Sequence, residues 1–235
     1  MGRFHKVRAS AVSGLLAALI VAALCVCATS AQADTLELQL TSGGFTSGVI
    51  LGSSCGGGTE TCVMFSGSVG AWVINMTSGD STGGSSATMD LSSLNATTSG
   101  NAAPLEIQLS ATDFTAANPL WALQSSGTLV SGGGTVAYSA YVDNTNTALQ
   151  ETTLIGTLGP FSSSYNAAQS FTNNATAPYS LTEDVYLTAG SNGAKWSTDS
   201  SIAPDPTPAP EPSALLLTGL SVGVLLLGRR RLLVV

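Results

Sequence analysis

The interior of this 235-residue chain is predicted to be all-β, an antiparallel β-sandwich or jelly-roll-like body. It is flanked by an N-terminal signal peptide and a C-terminal single transmembrane helix. Three observations predict the body. Apolar and polar residues alternate with a period of two in several short runs. Clusters of Gly, Asn and Ser break those runs at short intervals. No long amphipathic helical pattern interrupts them, and no repeat of roughly 20–50 residues points to a solenoid.

The first element, residues 1–33, is the export signal. Arg3, Lys6 and Arg8 lead into an apolar stretch from Ala11 to Ala28, and Ala31-Gln32-Ala33 supplies small residues for cleavage between Ala33 and Asp34. The segment has no Arg-Arg pair, which favours the general secretory route: the Sec translocon and signal peptidase are its expected partners. Cys25 and Cys27 follow Leu24 and Val26, where lipoprotein processing requires a small residue, so both cysteines read as apolar filler.

The β-rich extracellular domain is expected over residues 34–202. Leu36, Leu38 and Leu40 alternate with polar residues, as do Leu105, Ile107 and Leu109. In a third run Tyr179, Leu181, Glu183, Val185 and Leu187 share one face, and Ser180, Thr182, Asp184, Tyr186 and Thr188 the other. Each reads as a strand with one face to a core and one to water. Further strands are expected at Phe45–Leu51, Cys62–Ser66, Val69–Met76, Leu120–Ser125, Thr135–Asp143 and Gln150–Leu158, and Leu91–Leu94 as a single helical turn. Turns are expected at Gly56-Gly57-Gly58, Gly79-Asp80, Gly83-Gly84, Ser99-Gly100-Asn101, Gly132-Gly133-Gly134 and Asn173-Asn174. Trp72 and Trp121 are expected in the core and Trp196 at the surface.

Chemistry in this stretch is limited by what it lacks. Between the two apolar segments, over Asp34 to Pro212, fourteen carboxylates stand against one lysine, Lys195, hence a formal charge of −13. That sign disfavours nucleic acid, whose recognition needs Lys/Arg contacts to phosphate. The only histidine, His5, lies in the signal, so a Ser-His-Asp mechanism has no imidazole to take its proton. No metal, cofactor or catalytic role is therefore expected. Glycoside hydrolysis needs only two acids, and Glu106, Asp113, Asp143, Glu151, Glu183 and Asp184 are available, but nothing in the sequence makes any two face each other. The oxygen-rich run Asp143-Asn144-Thr145-Asn146-Thr147, with Glu183-Asp184, reads either as turn chemistry or as a calcium loop. Cys55 and Cys62, the two cysteines left after signal removal, read as a disulfide closing a small loop. Tyr138, Tyr141, Tyr179, Tyr186 and Trp196 are the candidate aromatics of a carbohydrate-binding face.

The last elements are a Pro-rich linker at 203–212 and the segment 213–235. Five prolines in Ala203–Pro212 exclude a central strand. The linker ends in Pro210-Glu211-Pro212; the apolar run Ala214 to Gly228 follows, and then Arg229-Arg230-Arg231. Fifteen residues span about 23 Å as a helix, a marginal length for a membrane of roughly 30 Å. Six of the seven basic residues flank the two apolar segments, which places both ends on the cytoplasmic side and the middle outside.

This C-terminal layout resembles the PEP-CTERM sorting signal. The resemblance covers roughly the last 28 residues. It implies that exosortase processes the chain, with Pro210, Glu211 and Pro212 as the sorting motif and Arg229, Arg230 and Arg231 as the basic stop. The short apolar segment and the Leu232-Leu233-Val234-Val235 tail depart from the usual pattern. It further implies transient anchoring in the inner membrane through the C-terminal helix, then release to the cell surface or extracellular space. There the body is expected to be a structural or adhesive component of exopolysaccharide or biofilm matrix, or alternatively a lectin-like module that binds extracellular polysaccharide.

Overall fold

A computed structural model describes residues 35–55, 60–82, 88–115, 120–172 and 175–205. The expected signal peptide and its cleavage site at Ala33 and Asp34, the expected sorting motif Pro210, Glu211 and Pro212, the C-terminal apolar segment and Arg229, Arg230 and Arg231 lie outside the described residues. So do the expected turns at Gly56-Gly57-Gly58, Gly83-Gly84 and Asn173-Asn174. No helix among the described residues is long and apolar enough to cross a membrane.

The described residues form strands β1 (Leu36–Ser42), β2 (Phe45–Thr46), β3 (Ile50–Leu51), β4 (Ser53–Ser54), β5 (Glu60–Val69), β6 (Trp72–Thr82) and β7 (Thr88–Thr98). They continue as β8 (Leu105–Phe114), β9 (Leu120–Gly132), β10 (Val136–Asp143), β11 (Thr153–Phe161), β12 (Tyr165–Thr172), β13 (Tyr179–Leu187) and β14 (Ala194–Pro204). Every pairing is antiparallel. Sheet A runs β11-β10-β13-β8-β1-β2, with β3 also on β1, and sheet B runs β12-β9-β14-β7-β6-β5-β4. One hydrophobic core draws on both sheets, as in a sandwich. Leu36, Leu38 and Leu40 enter it from β1, and Leu105, Ile107 and Leu109 from β8, as their alternation requires.

Three strands, β7, β12 and β14, escape the period-two reading. In β14, Ala194, Trp196, Thr198, Ser200 and Ile202 all point inward and are buried. Trp196 is therefore a core residue, not an exposed one, because β14 is flanked by β9 and β7. β12, rich in Ala, Ser and Asn, carries as little apolar signal. In β7, Leu91 and Leu94 are both buried at a spacing of three, which mimics a helical turn. The cause is a bulge: Ser93 takes φ +54° and the pairing with β14 shifts by one residue between Thr198 and Ser200.

Other boundaries move as well. The expected strand Val69–Met76 is broken by the Gly70-Ala71 turn of the β5–β6 hairpin. Phe45–Leu51 splits into β2 and β3, because the Ser47 hydroxyl accepts the Leu40 N–H at 3.0 Å in place of a strand partner. Gly79-Asp80 is strand rather than turn. The glycine lets the sheets pack closely there, since a Cβ on Gly79 would meet Leu109 Cδ1 of the other sheet at 2.9 Å and that side chain would have to shift. Gln150 and Glu151 belong to a loop, and β11 begins at Thr153. β14 reaches Pro204, which pairs with Trp121 of β9.

Two further contacts join the halves of the body. Tyr138 of sheet A reaches Tyr165 and Thr198 of sheet B, with the two tyrosine hydroxyls 2.5 Å apart and Ser125 at 3.2 Å from Tyr165. At another point Tyr179 stacks on Phe114, with centroids 5.8 Å apart, and meets Trp121 edge-on at 6.3 Å. Cys55 and Cys62 form a disulfide beside β4 and β5.

One inward residue is anomalous. Glu183 shares the core face with Leu181 and Val185, is fully buried, and neither carboxylate oxygen has a hydrogen-bond partner. Burial first, with the Asp90 and Asp184 charges adding to it, pushes its pKa up to about 8, and the nearby Ser200 hydroxyl opposes this without completing a hydrogen bond. Glu183 is thus a neutral acid at neutral pH. Because the folded pKa is raised, its contribution is fully present below about pH 4.5 and is lost as pH rises through about 8. Glu183→Leu is expected to raise the unfolding free energy by about 2 kcal/mol or more at pH 9 and by much less at pH 5, measured by urea denaturation. Reducing the Cys55–Cys62 bond should lower stability by about 2 kcal/mol, read in the same assay with and without reductant.

Candidate functional site

The loop joining β10 to β11, residues 144–152, folds over the outer face of sheet A, and its own side chains hold it there. The Asp143 carboxylate accepts hydrogen bonds from the Thr145 hydroxyl, the Thr147 N–H at 3.0 Å and the Thr152 hydroxyl at 2.9 Å. Burial works to raise the Asp143 pKa, but these donors together outweigh it and hold the pKa below the usual carboxylate range. Asn146 donates to Asp113 Oδ1 at 2.6 Å and accepts the Asp113 N–H at 2.8 Å. Asn144 Oδ1 accepts the Thr176 N–H. The oxygen-rich run 143–147 is therefore bound up in turn chemistry. Below the loop, Leu149 N–H donates to Ser110 Oγ at 2.9 Å and Ser180 Oγ donates to the Thr147 carbonyl at 2.7 Å.

This fold-back delivers Glu151 onto the sheet. Gln108 of β8 donates from Nε2 to Glu151 Oε1 at 2.6 Å. Across the β8–β13 ladder Gln108 pairs with Asp184 and Glu106 with Tyr186, and all four side chains project from the outer face. Glu106, Glu151 and Asp184 each bring a carboxylate oxygen within 4.8 Å of the others. Asp184 is only 8% exposed and its Oδ1 has no partner. Burial first, then the Glu106 and Glu151 charges, pushes its pKa up to about 7. Tyr141 lies beside the cluster, its hydroxyl pKa raised mainly by burial and also by these carboxylates, against an opposing hydrogen bond from Ser139.

A groove of about 380 Å³ adjoins the cluster, lined by Thr41, Phe45, Pro104, Glu106 and Tyr186. Its rim is the β1–β2 hairpin, whose Gly43-Gly44 turn takes φ of +56° and +85°, values an L-residue rarely adopts. The tight turn places Phe45 outward at 64% exposure, facing a groove that also holds Tyr186 at 42%. Thr41 Oγ1 donates to Glu106 Oε2 at 3.0 Å and so fixes that carboxylate in the floor. Two aromatic side chains beside an anchored acceptor can stack on apolar ring faces and accept hydrogen bonds from hydroxyls.

Of the five sequence-identified aromatics, Tyr186 and Tyr141 lie on this face. Tyr138, Tyr179 and Trp196 are fully buried and cannot contact a polysaccharide, because the inward face of each strand carries them. Phe45 escaped the sequence reading, although a Gly-Gly pair directly before an aromatic is a local signal for a presented side chain. Of the acids, Glu106, Glu151 and Asp184 meet; Asp113 and Asp143 serve turns, and Glu183 faces the core. The three that meet form one cluster on the outer face of sheet A. The outer face of sheet B has a second groove of about 430 Å³, lined by Asp90, Gln124, Asn166, Asp199 and several serines, with no aromatic in its lining.

No protein-family model matches the chain, and no curated protein matches it. Among solved structures it is similar to the CBM22-1 xylan-binding domain of Xyn10C from Paenibacillus barcinonensis, with 12% identity and a TM-score of 0.30, over 62% of this chain and 95% of that one. It is similar also to the C-terminal CBM6 of LamC, a marine laminarinase from Zobellia galactanivorans, with 14% identity and a TM-score of 0.27, over 47% and 79%. A third similarity is to the enzymatically active domain of tailspike protein 4 of bacteriophage CBA120, with 10% identity and a TM-score of 0.32. The match covers 54% of this chain but only 18% of the tailspike chain.

Asp184 gives the site a pH signature. Its pKa is about 7 when folded against the ordinary 3.8, so its contribution to stability is full below about pH 4 and is lost as pH rises through 7. Asp184→Asn is expected to flatten that part of the stability-versus-pH curve, followed by thermal unfolding in chelator from pH 4 to 8.

Proposed function

We propose that the chain is an exported module of the cell surface or extracellular matrix, non-enzymatic, and structural or adhesive within exopolysaccharide or biofilm matrix. The observation that carries this reading is the charge distribution: six basic residues flank the two apolar segments, and one lysine remains among fourteen carboxylates between them. A disulfide suits an oxidising compartment outside the cytosol. In this reading the Sec translocon and signal peptidase act at Ala33 and Asp34, and an exosortase acts at Pro210, Glu211 and Pro212. The C-terminal helix holds the chain in the inner membrane until then.

A second reading, carbohydrate binding, is favoured by the groove on sheet A. Phe45 and Tyr186 supply ring faces, and Thr41 and Glu106 supply hydrogen-bonding groups between them. This combination matches the amphipathic surface of a sugar, with apolar C–H faces and equatorial hydroxyls.

Mass spectrometry of the protein recovered from the producing cells should find an N-terminus at Asp34 and a C-terminus near Pro212. Intact termini in a cytosolic fraction would overturn the export reading. For the second reading, Phe45→Ala and Tyr186→Ala should each weaken retention on matrix polysaccharide about tenfold, the loss of roughly 1.4 kcal/mol of stacking. Equal retention of both variants and the parent would remove the groove as the binding surface.

A further inference from the structure

Glu106, Glu151 and Asp184 form a site whose charge nothing in the described protein balances. Among the described residues the sole basic side chain is Lys195. It is exposed on β14, on the outer face of sheet B, whereas the three acids lie on the outer face of sheet A, with the core between them. Carboxylate clusters are common on wet surfaces, where water screens them. Here one member is not wet: Asp184 is 8% exposed, and its Oδ1 is buried without a hydrogen-bond partner. A buried carboxylate with an oxygen that no donor reaches, clustered with two further carboxylates, is short of a cation.

We infer that Glu106, Glu151 and Asp184 bind a calcium ion on the outer face of sheet A. The ligand atoms are all oxygen, the preference of a hard cation, with no imidazole or thiolate in the cluster to favour zinc. Oxygens within 4.8 Å of one another fit around one ion with Ca–O distances of roughly 2.3–2.6 Å, which puts opposed ligands about 4.6–5.2 Å apart. Two of the three carboxylates are already held. Gln108 Nε2 grips one oxygen of Glu151 and Thr41 Oγ1 one oxygen of Glu106, leaving the second oxygen of each for the ion. Asp184 is fixed from below by a strand paired on both sides, and Glu151 closes the site from the loop above. The open side toward solvent leaves the remaining positions to water.

Bound there, the ion would join the 144–152 loop to strands β8 and β13. It would also hold Glu106, which lines the aromatic groove, in one position. The inference does not rest on the carbohydrate reading, because it needs no glycan for its test.

The full chain, stripped with chelator, would be titrated with CaCl₂ by calorimetry and followed by thermal unfolding. One saturable site is expected, with Kd between about 10⁻⁵ and 10⁻³ M, and Tm should rise on the order of 5 °C at about 100 times Kd. Glu151→Gln, on an exposed loop and therefore a mild change for the fold, should weaken binding at least tenfold. Asp184→Asn should abolish it, with the β-sheet circular dichroism retained in both variants. No saturable heat, or a Kd unchanged in Glu151→Gln, would overturn the assignment. So would an equal response to MgCl₂ at the same concentrations, which would mark general screening rather than a calcium site.

Discussion

A strand hydrogen-bonded on both sides leaves its side chains two directions only, and β13 sits between β10 and β8 in sheet A. Consecutive residues must therefore take opposite faces. Glu183 and Asp184 are adjacent, so one carboxylate is driven into the core and the other onto the outer face. Both are buried, for different reasons. Sheet B covers Glu183, whereas the loop after β10 and the neighbouring strands enclose Asp184. Much of what distinguishes this sandwich follows from that division.

The inward acid is a cost that the core tolerates by keeping it protonated. It stands among Leu109, Ala140, Leu181 and Val185 of its own sheet, near Ser200, with no completed hydrogen bond. The inter-sheet hydroxyl network of Tyr138, Tyr165, Thr198 and Ser125 contrasts with it, since its oxygens find partners across the core. Cross-sheet hydroxyl contacts of this kind fix how two sheets register, a specificity that apolar packing alone supplies less sharply.

The outward acid organises the other surface. The 144–152 loop uses Asp143, Asn144 and Asn146 to fold back, and its last residues carry Glu151 over Gln108 toward Asp184. Hydroxyls of Ser110, Ser180 and Thr182 meet the loop from beneath. Low charge density elsewhere makes this concentration of carboxylates conspicuous, and the aromatic groove beside it shares Glu106. Calcium, abundant outside cells, connects the proposed location with the proposed ligand. The same loop would then be ordered by its environment as well as by its own hydrogen bonds.

The sequence alone determined the all-β class, the faces of β1, β8 and β13, the Cys55–Cys62 pairing and the −13 charge of Asp34–Pro212. These are properties of local alternation, of residue counts and of a single available pairing. The proposed export and sorting signals are likewise readings of the linear sequence. Strand β14 was illegible because Thr198 and Ser200 fill inward positions that only a facing sheet buries, β7 because the bulge at Ser93 breaks its alternation, and β12 because few of its residues are apolar. The burial of Trp196 was illegible too, since no apolar alternation marks β14, whereas Tyr179 shares the apolar face of β13 with Leu181, Val185 and Leu187. Only the tertiary structure decided that Glu106, Glu151 and Asp184 meet. Residues on two strands and a loop, up to 78 positions apart, become neighbours through β-ladder register and loop closure, and neither leaves a periodic trace in the chain.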